Sequence, residues 1–539
     1  MLPCLDLEFS FNIVNTMIQD LAHQIISWWL QDINGPKTSL AFSFTLCLIS
    51  WCTWVLIKRS RNGSPPLPPG PRGLPLIGSL PFLESDLHRY FLKLAQTYGP
   101  IIKVRLGSKL CIILSSSSIA KEALKDHDTI FANHYVPIAM SELTYGGIEI
   151  VFSPYGPNWR TMRKVCAREM MSSKVLDSYY GLRRLEVRQM VRDVRTLAGT
   201  TVNIGELAFQ LALNVVMNMI WGGTLDGEGR RKVGLEFQRV INEAVELVSE
   251  PNLSDFFPIL SRFDVQGVVG RMKKLTSWMD KIFESVIDQR LKMDREGGKE
   301  SKDFLQLLLQ LKEEGDTKTP LTLTNIKAIF VDLVIAGTDT TSTTIEWAMA
   351  EMLQNPEIMR KVQEELEQVV GMDQMVEESH VPKLPYLDAV IKEALRLHPP
   401  LVFLVPRYPS QTCTISGYTV PKGTQIIINA WAIHRDPEAW DNPLEFCPER
   451  FYNSTSKWDY NGNDFRYLPF GSGRRICVGL PLAERMLTYE LASLLHSFDW
   501  RLPDDAKLDL SEKFALILKK ATPLIAIPTP RLANPELYS

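Results

Sequence analysis

Apolar residues recur at helical spacing through most of the chain between about residues 84 and 400. From 400 to 480 the chain is instead rich in proline and glycine, with few helix signals. Four apolar stretches have strand character; they are Ile101–Leu106, Cys111–Ser115, Thr424–Ile428 and Ala521–Ile527. No internal repeat is present at the periods of solenoid proteins. The pattern predicts a mostly α fold with small β-sheets.

Residues 38–57 form an uncharged run that is long enough to cross the hydrocarbon core of a membrane as a helix. Lys58, Arg59 and Arg61 follow at once, whereas the region before the run is acidic. Because positive flanks stay in the cytosol, we expect a single-pass helix with residues 76–539 on the cytosolic side. The acidic flank and the lack of a small-residue cleavage site argue against a removable signal peptide.

Two further segments flank this run. Residues 1–37 are acidic and carry apolar side chains at helical spacing, so an amphipathic helix on the lumenal membrane surface and an unstructured lumenal extension both fit. Residues 58–75 contain the basic stop and the stretch Pro65-Pro-Leu-Pro-Pro-Gly-Pro-Arg-Gly-Leu-Pro75. Prolines fix φ and stiffen the chain as polyproline II, which predicts a hinge between the membrane segment and the body.

Composition and charge narrow the class of protein. The chain has 539 residues, 45 % of them hydrophobic, which is enough for one large or two modest domains. The formal net charge of −3 argues against bulk nucleic-acid binding. The eight cysteines are scattered and form no C-x-x-C pair, so we expect neither a disulfide framework nor a zinc site. This usage suits a body kept in a reducing compartment.

A stretch near the C-terminus carries the most specific chemistry. It matches F-x-x-G-x-R-x-C-x-G at Phe470, Gly473, Arg475, Cys477 and Gly479. The segment after it is apolar at helical spacing, which predicts a helix beginning just after the cysteine. A helix N-terminus favours negative charge and would stabilise the Cys477 thiolate. The glycines let the backbone approach closely, and Arg475 offers a cation that can fork onto a carboxylate.

A second constellation lies inside a long apolar helix, predicted to be capped by Thr324-Asn325 and to end at Asn355-Pro356. Its middle reads Ala336-Gly-Thr-Asp-Thr-Thr341. Glycine costs up to about 1 kcal/mol in a helix interior, and hydroxyls there can bond back to carbonyls and bend the helix. Such a local conflict often marks a functional site. The alternative is a packing kink in which Asp339 pairs with a surface cation.

Several arginines stand at fixed spacing from acidic or aromatic residues. They occur in Glu393-Ala-Leu-Arg396, in Pro448-Glu-Arg450-Phe451, in Trp159-Arg-Thr-Met-Arg163, and at Arg407 after Val405-Pro406. Taken singly, each can be a solvated side chain. Glu393 and Arg396, three residues apart on a helix, can form a weak surface pair worth under ~1 kcal/mol. The order and spacing of these motifs along the chain are what make them informative.

Together these motifs resemble those of the cytochromes P450, continuously from Pro65 to the C-terminus. The resemblance implies the P450 fold, preceded here by one transmembrane helix. It implies that Cys477 is the axial ligand of a haem b iron, where a thiolate favours O–O cleavage. By the same resemblance, Asp339 and Thr340 help to deliver protons to bound dioxygen, and Gly337 opens a groove for oxygen.

The resemblance assigns the other motifs to holding haem or to shaping the fold. The residues implied to surround the haem are Phe470, Gly473, Arg475, Gly479, Trp159, Arg163 and Arg407. Within this set, Trp159 and Arg163 reach one propionate and Arg407 reaches the other. The residues implied to fix the region behind the cysteine loop are Glu393, Arg396 and Arg450.

The chain has no G-x-G-x-x-G placed between a strand and a helix, so it has no flavin or nicotinamide fingerprint. Electrons must therefore arrive from another protein, which the resemblance identifies as an NADPH-dependent reductase of the endoplasmic reticulum. Basic residues cluster on the helix expected at the cysteine side of haem, namely Arg160, Arg163, Lys164, Arg168 and Lys174. An acidic flavin domain would be steered to such a face.

The family pattern also implies a substrate pocket. The residues implied to line it are Phe330, Ala336, Leu401, Phe403, Val405 and Leu516. The segments 401–405 and 514–518 contain no ionisable side chain, which suits a neutral lipophilic substrate. The motif set is similar to that of plant endoplasmic-reticulum P450s of specialised metabolism, most of all those that oxidise sesquiterpenes and other terpenoids. Relatives that oxidise flavonoids or other phenylpropanoids are the alternative.

Three activities fit these motifs. The first is a reductase-dependent monooxygenase that uses O₂, and the second is a P450-type isomerase or dehydratase that consumes a hydroperoxide without a reductase. The third is a haem-binding sensor without catalysis. The Asp339-Thr340 pair and the basic helix face favour the monooxygenase.

Overall fold

The computed structural model describes residues 65–539 except 223–226, 297–302, 316–319, 455–457 and 539, together with the helical positions Thr45, Leu46 and Ser50. Apart from these three positions, the predicted extension 1–37, the membrane helix 38–57 and the basic stop lie outside the described residues. The chain divides into two compact units, residues 1–65 and 66–539.

The larger unit begins inside the predicted proline hinge. The backbone carbonyls of Pro66 and Pro69 accept hydrogen bonds from the N–H groups of Thr419 (2.9 Å) and Lys103 (2.8 Å). A Cβ at Gly70 would lie 2.0 Å from the carbonyl oxygen of Lys103, so a glycine is required where the chain passes this residue. The second half of the hinge is therefore packed onto the domain, ten residues before the predicted boundary at residue 76.

Helices form most of the domain, in agreement with the apolar periodicity. In chain order they are α1 Leu87–Tyr98, α2 Ser117–Lys121, α3 Ile138–Leu143, α4 Pro157–Glu169, α5 Ser173–Ser178, α6 Tyr180–Thr196, α7 Ile204–Trp221, α8 Gly227–Ser249, α9 Leu253–Phe256, α10 Val268–Arg295, α11 Phe304–Glu314, α12 Leu323–Gln354, α13 Pro356–Val370, α14 Pro385–Leu397, α15 Ala430–Ile433, α16 Glu449–Tyr452 and α17 Leu480–Ser497.

The described residues also contain twelve short strands. They are β1 Ile101–Leu106, β2 Lys109–Leu114, β3 Asn133–His134, β4 Val202–Asn203, β5 Arg407–Tyr408, β6 Cys413–Ile415, β7 Tyr418–Val420, β8 Gln425–Ile428, β9 Phe498–Arg501, β10 Glu512–Lys513, β11 Lys519–Lys520 and β12 Ile525–Pro530. The largest sheet has the order β1-β2-β8-β5-β3, and a second has the order β4-β12-β9. The pairs β6–β7 and β10–β11 are two-stranded.

Three of the four predicted strands lie within two residues of their predicted starts. β1 has the predicted bounds, while β2 begins at Lys109 and β8 at Gln425. β1 and β2 are antiparallel, with Ile101 opposite Leu114, and β8 runs parallel to β2. The fourth prediction, Ala521–Ile527, is shifted, because the Ala521 N–H instead bonds to the Ser511 carbonyl at the β10–β11 hairpin.

The long helix α12 runs through the core and packs against α7, α13, α14 and α17. It begins two residues earlier than a Thr324 cap would allow, because Thr322 and Asn325 form a reciprocal capping box. It ends at Asn355-Pro356 as predicted. α7 is apolar and long enough to cross a membrane, but 72 % of its apolar window is buried. We therefore assign α7 to the core of the domain.

Candidate active site

The cysteine loop reverses direction just before α17. The Cys477 N–H donates to the Phe470 carbonyl (3.0 Å), and the Ile476 N–H donates to the Gly473 carbonyl (3.1 Å). Gly473 has a φ of +70°, and a Cβ there would lie 2.7 Å from the carbonyl oxygen of Leu124. Only glycine combines this conformation with this close approach.

The Cys477 thiol lies at the N-terminus of α17, where the sequence places it. It keeps accessible surface, yet burial is the largest influence on its pKa. It therefore faces a space enclosed by protein. Burial raises the thiol pKa, while hydrogen bonds from the backbone N–H groups of Gly479 and Leu480 and the nearby Arg163 lower it. These donors are suited to holding a thiolate that binds a metal.

Arg163 links α4 to this loop. Its Nη2 donates to the carbonyl of Ile476, the residue before the cysteine (2.6 Å), and its guanidinium lies 5.6 Å from the Trp159 ring centre. The Trp159 indole N–H donates to the carbonyl of Ile150 (3.0 Å). The Trp159 ring centre also lies 4.5 Å from the guanidinium of Arg475, so both residues of the W-x-x-x-R motif meet the cysteine loop from one helix.

Arg475 and Arg407 both donate to backbone carbonyls of the segments 131–132 and 150–151. Arg475 donates through Nε to the Ala132 carbonyl (2.6 Å) and through Nη1 to the Ile150 carbonyl (2.9 Å). Arg407 donates through Nη1 to the Phe131 carbonyl (3.1 Å), while its buried Nε has no partner. Burial lowers the pKa of Arg475 to about 10 and that of Arg407 to about 9.

These cations fit a haem group. Within the described residues, the hydrogen bonds of Arg163, Arg407 and Arg475 end on backbone carbonyls and not on carboxylates. Burying positive charge without a partner is costly, so the site is suited to an anionic group. The two propionates of haem would supply that charge, Arg407 Nε offers a free donor, and the Cys477 thiol would bind the iron.

His134 is part of this cluster and was not singled out from the sequence. It lies opposite Arg407 across the β3–β5 pair, and its Nδ1 lies 2.6 Å from the Val151 carbonyl oxygen. Burial, together with Arg407 and Arg475, moves its pKa well below the ordinary value. His134 is therefore neutral and adds no further charge. The sequence offered no signal, since a lone histidine in a loop has no spacing to a partner.

Ala336 and Thr340 lie one turn apart on the same face of α12. Both keep accessible surface inside a helix that is otherwise mostly buried. The Thr340 hydroxyl donates to the Ala336 carbonyl (2.7 Å), and the neighbouring hydroxyls bond back in the same way. The helix is continuous through residues 336–341, so the glycine and hydroxyl residues of the motif do not break it. Their hydroxyls instead bond back to carbonyls of the preceding turn.

Asp339 is buried and paired. Its Oδ1 lies 2.6 Å from the Nζ of Lys519 on β11, and its Oδ2 has no partner. The pairing of Asp339 with a cation, which the packing-kink alternative predicts, is therefore present. Asp339 also directly precedes Thr340 in the sequence motif. Sequence reasoning missed Lys519, because it is 180 residues away and the hairpin that carries it has no motif of its own.

Two predicted site residues on α12 face the neighbouring helix instead. Phe330 packs between Trp221 and Phe283, with ring centres 5.3 and 5.6 Å away, and is fully buried. A Cβ at Gly337 would lie 3.2 Å from a methyl carbon of Val216. The assignment of Phe330 to the pocket wall is therefore wrong. Close helix packing alone explains Gly337, and its role in an oxygen groove stays a prediction.

The other predicted pocket segments do meet. Phe403 lies 5.7 Å from Phe514 between ring centres, and the Leu518 N–H donates to the Pro400 carbonyl (2.9 Å). The Leu516 N–H donates to the hydroxyl of Ser249 at the end of α8 (2.9 Å). Leu401, Phe403, Val405 and Leu516 are partly exposed. The structure thus brings together the two uncharged segments.

Glu393 joins both arginines of the structural motifs. It pairs with Arg396 (2.7 Å) and with Arg450 (2.9 Å), and it accepts the Cys447 N–H (2.8 Å). Arg396 also donates to the carbonyl of His434 (2.8 Å), whose Nε2 accepts the Leu468 N–H just before the cysteine loop. The network therefore supports this loop from behind.

Two carboxyl groups that the sequence did not single out, those of Asp332 and Glu149, bind the backbone of residues 150–152. Asp332 of α12 accepts the Ile150 N–H (2.7 Å), and Glu149 accepts the Phe152 N–H (3.0 Å). Burial raises the pKa of Glu149 to about 7 and raises that of Asp332 well above its ordinary value. Each acid is thus favoured in its neutral form while it fixes the backbone.

The raised pKa of Glu149 makes stability depend on pH. The folded protein keeps a proton on this carboxyl up to about pH 7, which the unfolded chain releases near its ordinary pKa of 4.5. Stability should therefore fall as pH rises through this window, by up to about 1.4 kcal/mol per pH unit. Glu149→Gln should flatten the pH dependence of the denaturation midpoint, whereas the exposed Glu169→Gln should not. Equal slopes in wild type and Glu149→Gln would contradict this account.

Comparison with known proteins identifies the family. Residues 68–527 match the family described as Cytochrome P450. The chain is 40 % identical to flavonoid 3'-monooxygenase CYP75B137 of Crocosmia x crocosmiiflora, over 91 % of this chain and 97 % of that protein. It is 41 % identical to geraniol 8-hydroxylase of Catharanthus roseus, over 88 % and 95 %. A zebra fish cytochrome P450 structure with progesterone superposes with a TM-score of 0.70 at 26 % identity, covering 82 % of this chain and 99 % of that one.

Proposed function

Because the chain belongs to the cytochrome P450 family and is a monooxygenase of that family, we propose that it hydroxylates a neutral lipophilic plant metabolite, with a sesquiterpene or related terpenoid as the favoured class. The reaction is R–H + O₂ + NADPH + H⁺ → R–OH + H₂O + NADP⁺, with electrons passed on by a reductase. The observation that carries the proposal is the Cys477 thiol, which faces the enclosed space at the N-terminus of α17.

Haem b bound through a thiolate supplies the oxygen chemistry, since the thiolate pushes electron density that favours O–O cleavage. The chain holds Cys477 in place with backbone N–H groups and with the Phe470 carbonyl. Trp159, Arg163 and Arg407 would bind the propionates, and their present carbonyl contacts fix each side chain on that side of the site.

Thr340 and Asp339 would manage the protons that the reaction consumes. Thr340 keeps accessible surface, and its hydroxyl can accept a hydrogen bond from water while it donates to the Ala336 carbonyl. The buried, ion-paired Asp339 next to it links this position to Lys519 near the surface. This arrangement favours the reductase-dependent monooxygenase over a hydroperoxide isomerase, which needs no external protons.

Thr340→Ala should separate electron use from product formation. The variant should bind haem normally, because in the described structure the Thr340 hydroxyl donates its hydrogen bond within its own helix. Product formed per NADPH should fall roughly tenfold or more, with the electrons appearing as hydrogen peroxide. Thr338→Ala is the matched control, since this fully buried threonine forms the same back-bond (2.7 Å). Unchanged coupling in Thr340→Ala would exclude the proton role.

The exposed basic face of α4 supports a reductase as the partner. Arg160, Lys164 and Arg168 are exposed on this helix. The same helix reaches the cysteine loop through Arg163 and the Ile476 carbonyl. A negatively charged partner docked on this face would therefore stand next to the cysteine side of the site, and long-range attraction would speed its approach.

The pocket supports an apolar substrate. Its two uncharged segments meet through Phe403 and Phe514. The Thr340 hydroxyl already donates to its own helix. A hydrocarbon gains from contact with such a wall and leaves no buried donor unsatisfied.

A flavonoid is the second candidate, and the relatives favour it as much as a terpenoid. Flavonoid 3'-monooxygenases and geraniol 8-hydroxylase are similar to this chain at 38 to 41 % identity. This range does not separate the two substrate classes. Several hydroxyls on a planar flavonoid would each need a hydrogen-bond partner in the pocket.

The test is a titration of the purified ferric protein with matched panels of terpenes and flavonoids, followed by turnover with a reductase and NADPH. Sesquiterpenes should shift the Soret band with affinity at least about tenfold tighter than flavonoids, and should yield a mono-oxygenated product. If flavonoids bind and turn over while the terpenes do neither, the terpenoid assignment fails.

We further propose that residues 38–57 anchor the enzyme in the endoplasmic reticulum with its catalytic domain in the cytosol. Leu76 is 88 % exposed and Ile259 is 80 % exposed, so the body itself also offers apolar surface. The two lie on neighbouring turns, since Gly107 and Ser108 of the β1–β2 turn donate to the carbonyls of Ile77 and Phe256.

Deletion of residues 1–60 should leave haem incorporation intact and should reduce sedimentation with membranes. Release should be partial, because the exposed apolar turns around Leu76 and Ile259 remain. Further substitution of both residues by serine should increase the soluble fraction in proportion to the apolar area removed. Loss of haem binding on deletion would show instead that this region supports the fold.

A further inference from the structure

The acid on α12 pairs with a lysine from the C-terminal hairpin. Asp339 Oδ1 lies 2.6 Å from the Nζ of Lys519, with side chains 3 % and 32 % exposed. The pair therefore runs from the buried motif to the surface of the domain. The second carboxylate oxygen of Asp339 is buried without a hydrogen-bond partner, so Lys519 carries most of the stabilisation of this charge.

Lys519 directly follows the pocket segment 514–518. The backbone just before it is fixed twice, because the Leu518 N–H donates to the Pro400 carbonyl (2.9 Å) and the Leu518 carbonyl accepts the Trp347 indole N–H (3.2 Å). Trp347 belongs to α12, the helix that carries Asp339. The hairpin that carries the predicted pocket segment 514–518 is thus the element that places the cation.

The neighbouring groups do not replace Lys519. Lys520 points elsewhere, with its Nζ bonded to the Asp509 carbonyl and 4.9 Å from the Trp347 ring centre. Glu346 adds negative charge in the same region and accepts the Leu524 N–H (2.8 Å). Removal of the Lys519 charge would therefore leave Asp339 near a second acid and without a bonded cation.

We propose that Lys519 is a positioning residue for proton delivery: it holds Asp339 ionised and oriented, and its hairpin links that orientation to the occupied substrate pocket. The inference rests on the proposed monooxygenase function. It predicts that Lys519 affects the use of electrons and not the affinity for substrate. A neutral residue at this position would let Asp339 take up a proton, because a lone buried carboxylate is costly.

The variants are Lys519→Met, Lys519→Gln and Lys519→Arg, with Lys513→Met as the control. Lys513 lies opposite Lys519 on the same hairpin and is exposed, so its removal changes the hairpin charge equally. Lys519→Gln gives a milder neutral variant should methionine disturb folding. Turnover and product per NADPH should fall roughly tenfold to a hundredfold in both neutral variants. Lys519→Arg should restore most of the loss, and Lys513→Met should match wild type.

Two readouts separate positioning from a merely structural role. The substrate-induced Soret shift should give the same affinity within about twofold in all variants. Infrared difference spectra should show a new protonated-carboxyl band in Lys519→Met that is absent from Lys519→Met/Asp339→Asn. In turnover, that double variant should be no worse than Asp339→Asn alone, because the two residues act as a unit.

The proposal is overturned if the protonated-carboxyl band does not appear in Lys519→Met. It is also overturned if the band appears while product per NADPH is unchanged. A third contrary result is a double variant whose loss of turnover is the sum of the two single losses. A wild-type enzyme that forms no oxygenated product from any panel compound would instead count against the proposed function. The infrared comparison needs no turnover and tests Lys519 in either case.

Discussion

Replacement of Arg396 by methionine should leave the protein unable to fold into a haem-binding domain. Arg396 is fully buried and forms two bonds to Glu393, at 2.7 and 2.8 Å. It also donates to the carbonyls of His434 (2.8 Å), Pro443 (2.8 Å) and Glu445 (3.0 Å). Breaking a buried pair from one side costs about 3–5 kcal/mol, a large share of the stability of a domain.

The measurement is the denaturation midpoint together with the haem content per chain. Arg360→Met is the matched control, because Arg360 pairs with Glu357 and Glu364 on a helix surface at the same short spacing. The control should behave as wild type, since exposed pairs contribute little. Normal haem content in Arg396→Met would show that the network is dispensable for the cysteine loop.

Replacement of Cys477 by alanine should abolish monooxygenase turnover while the polypeptide stays folded. The thiol is the candidate axial ligand, and its loss removes the electron donation that O–O cleavage requires. The fold should persist, because the loop is held by the bond from the Cys477 N–H to the Phe470 carbonyl and by Gly473, which the substitution leaves in place. Haem should be retained weakly, through the arginines alone.

The control is Cys413→Ala, a half-buried free thiol on β6 away from the site. It should keep full turnover. The unfolding midpoint of Cys477→Ala without haem should lie close to that of the haem-free wild type. Turnover above a few per cent in Cys477→Ala would remove the cysteine from the catalytic role.

Much of this fold is local enough to be predicted from the sequence. The bounds of β1 and the start of α17 follow from apolar spacing and from glycine next to the cysteine. The pairing of Glu393 with Arg396 follows from residues three apart on one helix. In each case the signal lies within about ten residues, where periodicity and capping act.

The remainder depends on contacts between distant segments. α12 is apolar on nearly every side, so its pattern could not tell that Phe330 packs against α7 while Ala336 keeps accessible surface. The partner of Asp339 lies on β11, and the proximity of Glu149 to Asp332 arises only when the loop folds onto the helix. Such pairs need the tertiary structure, because no sequence spacing relates them.

The central claim is that Cys477 provides a thiolate ligand to haem iron. The most direct measurement is the absorption spectrum of the reduced protein with carbon monoxide, recorded for wild type, Cys477→Ala and Cys413→Ala. Wild type and Cys413→Ala should show the thiolate band, far to the red of a histidine-ligated haem, and Cys477→Ala should lack it. A wild-type band at the histidine position, or an unchanged band in Cys477→Ala, would contradict the account.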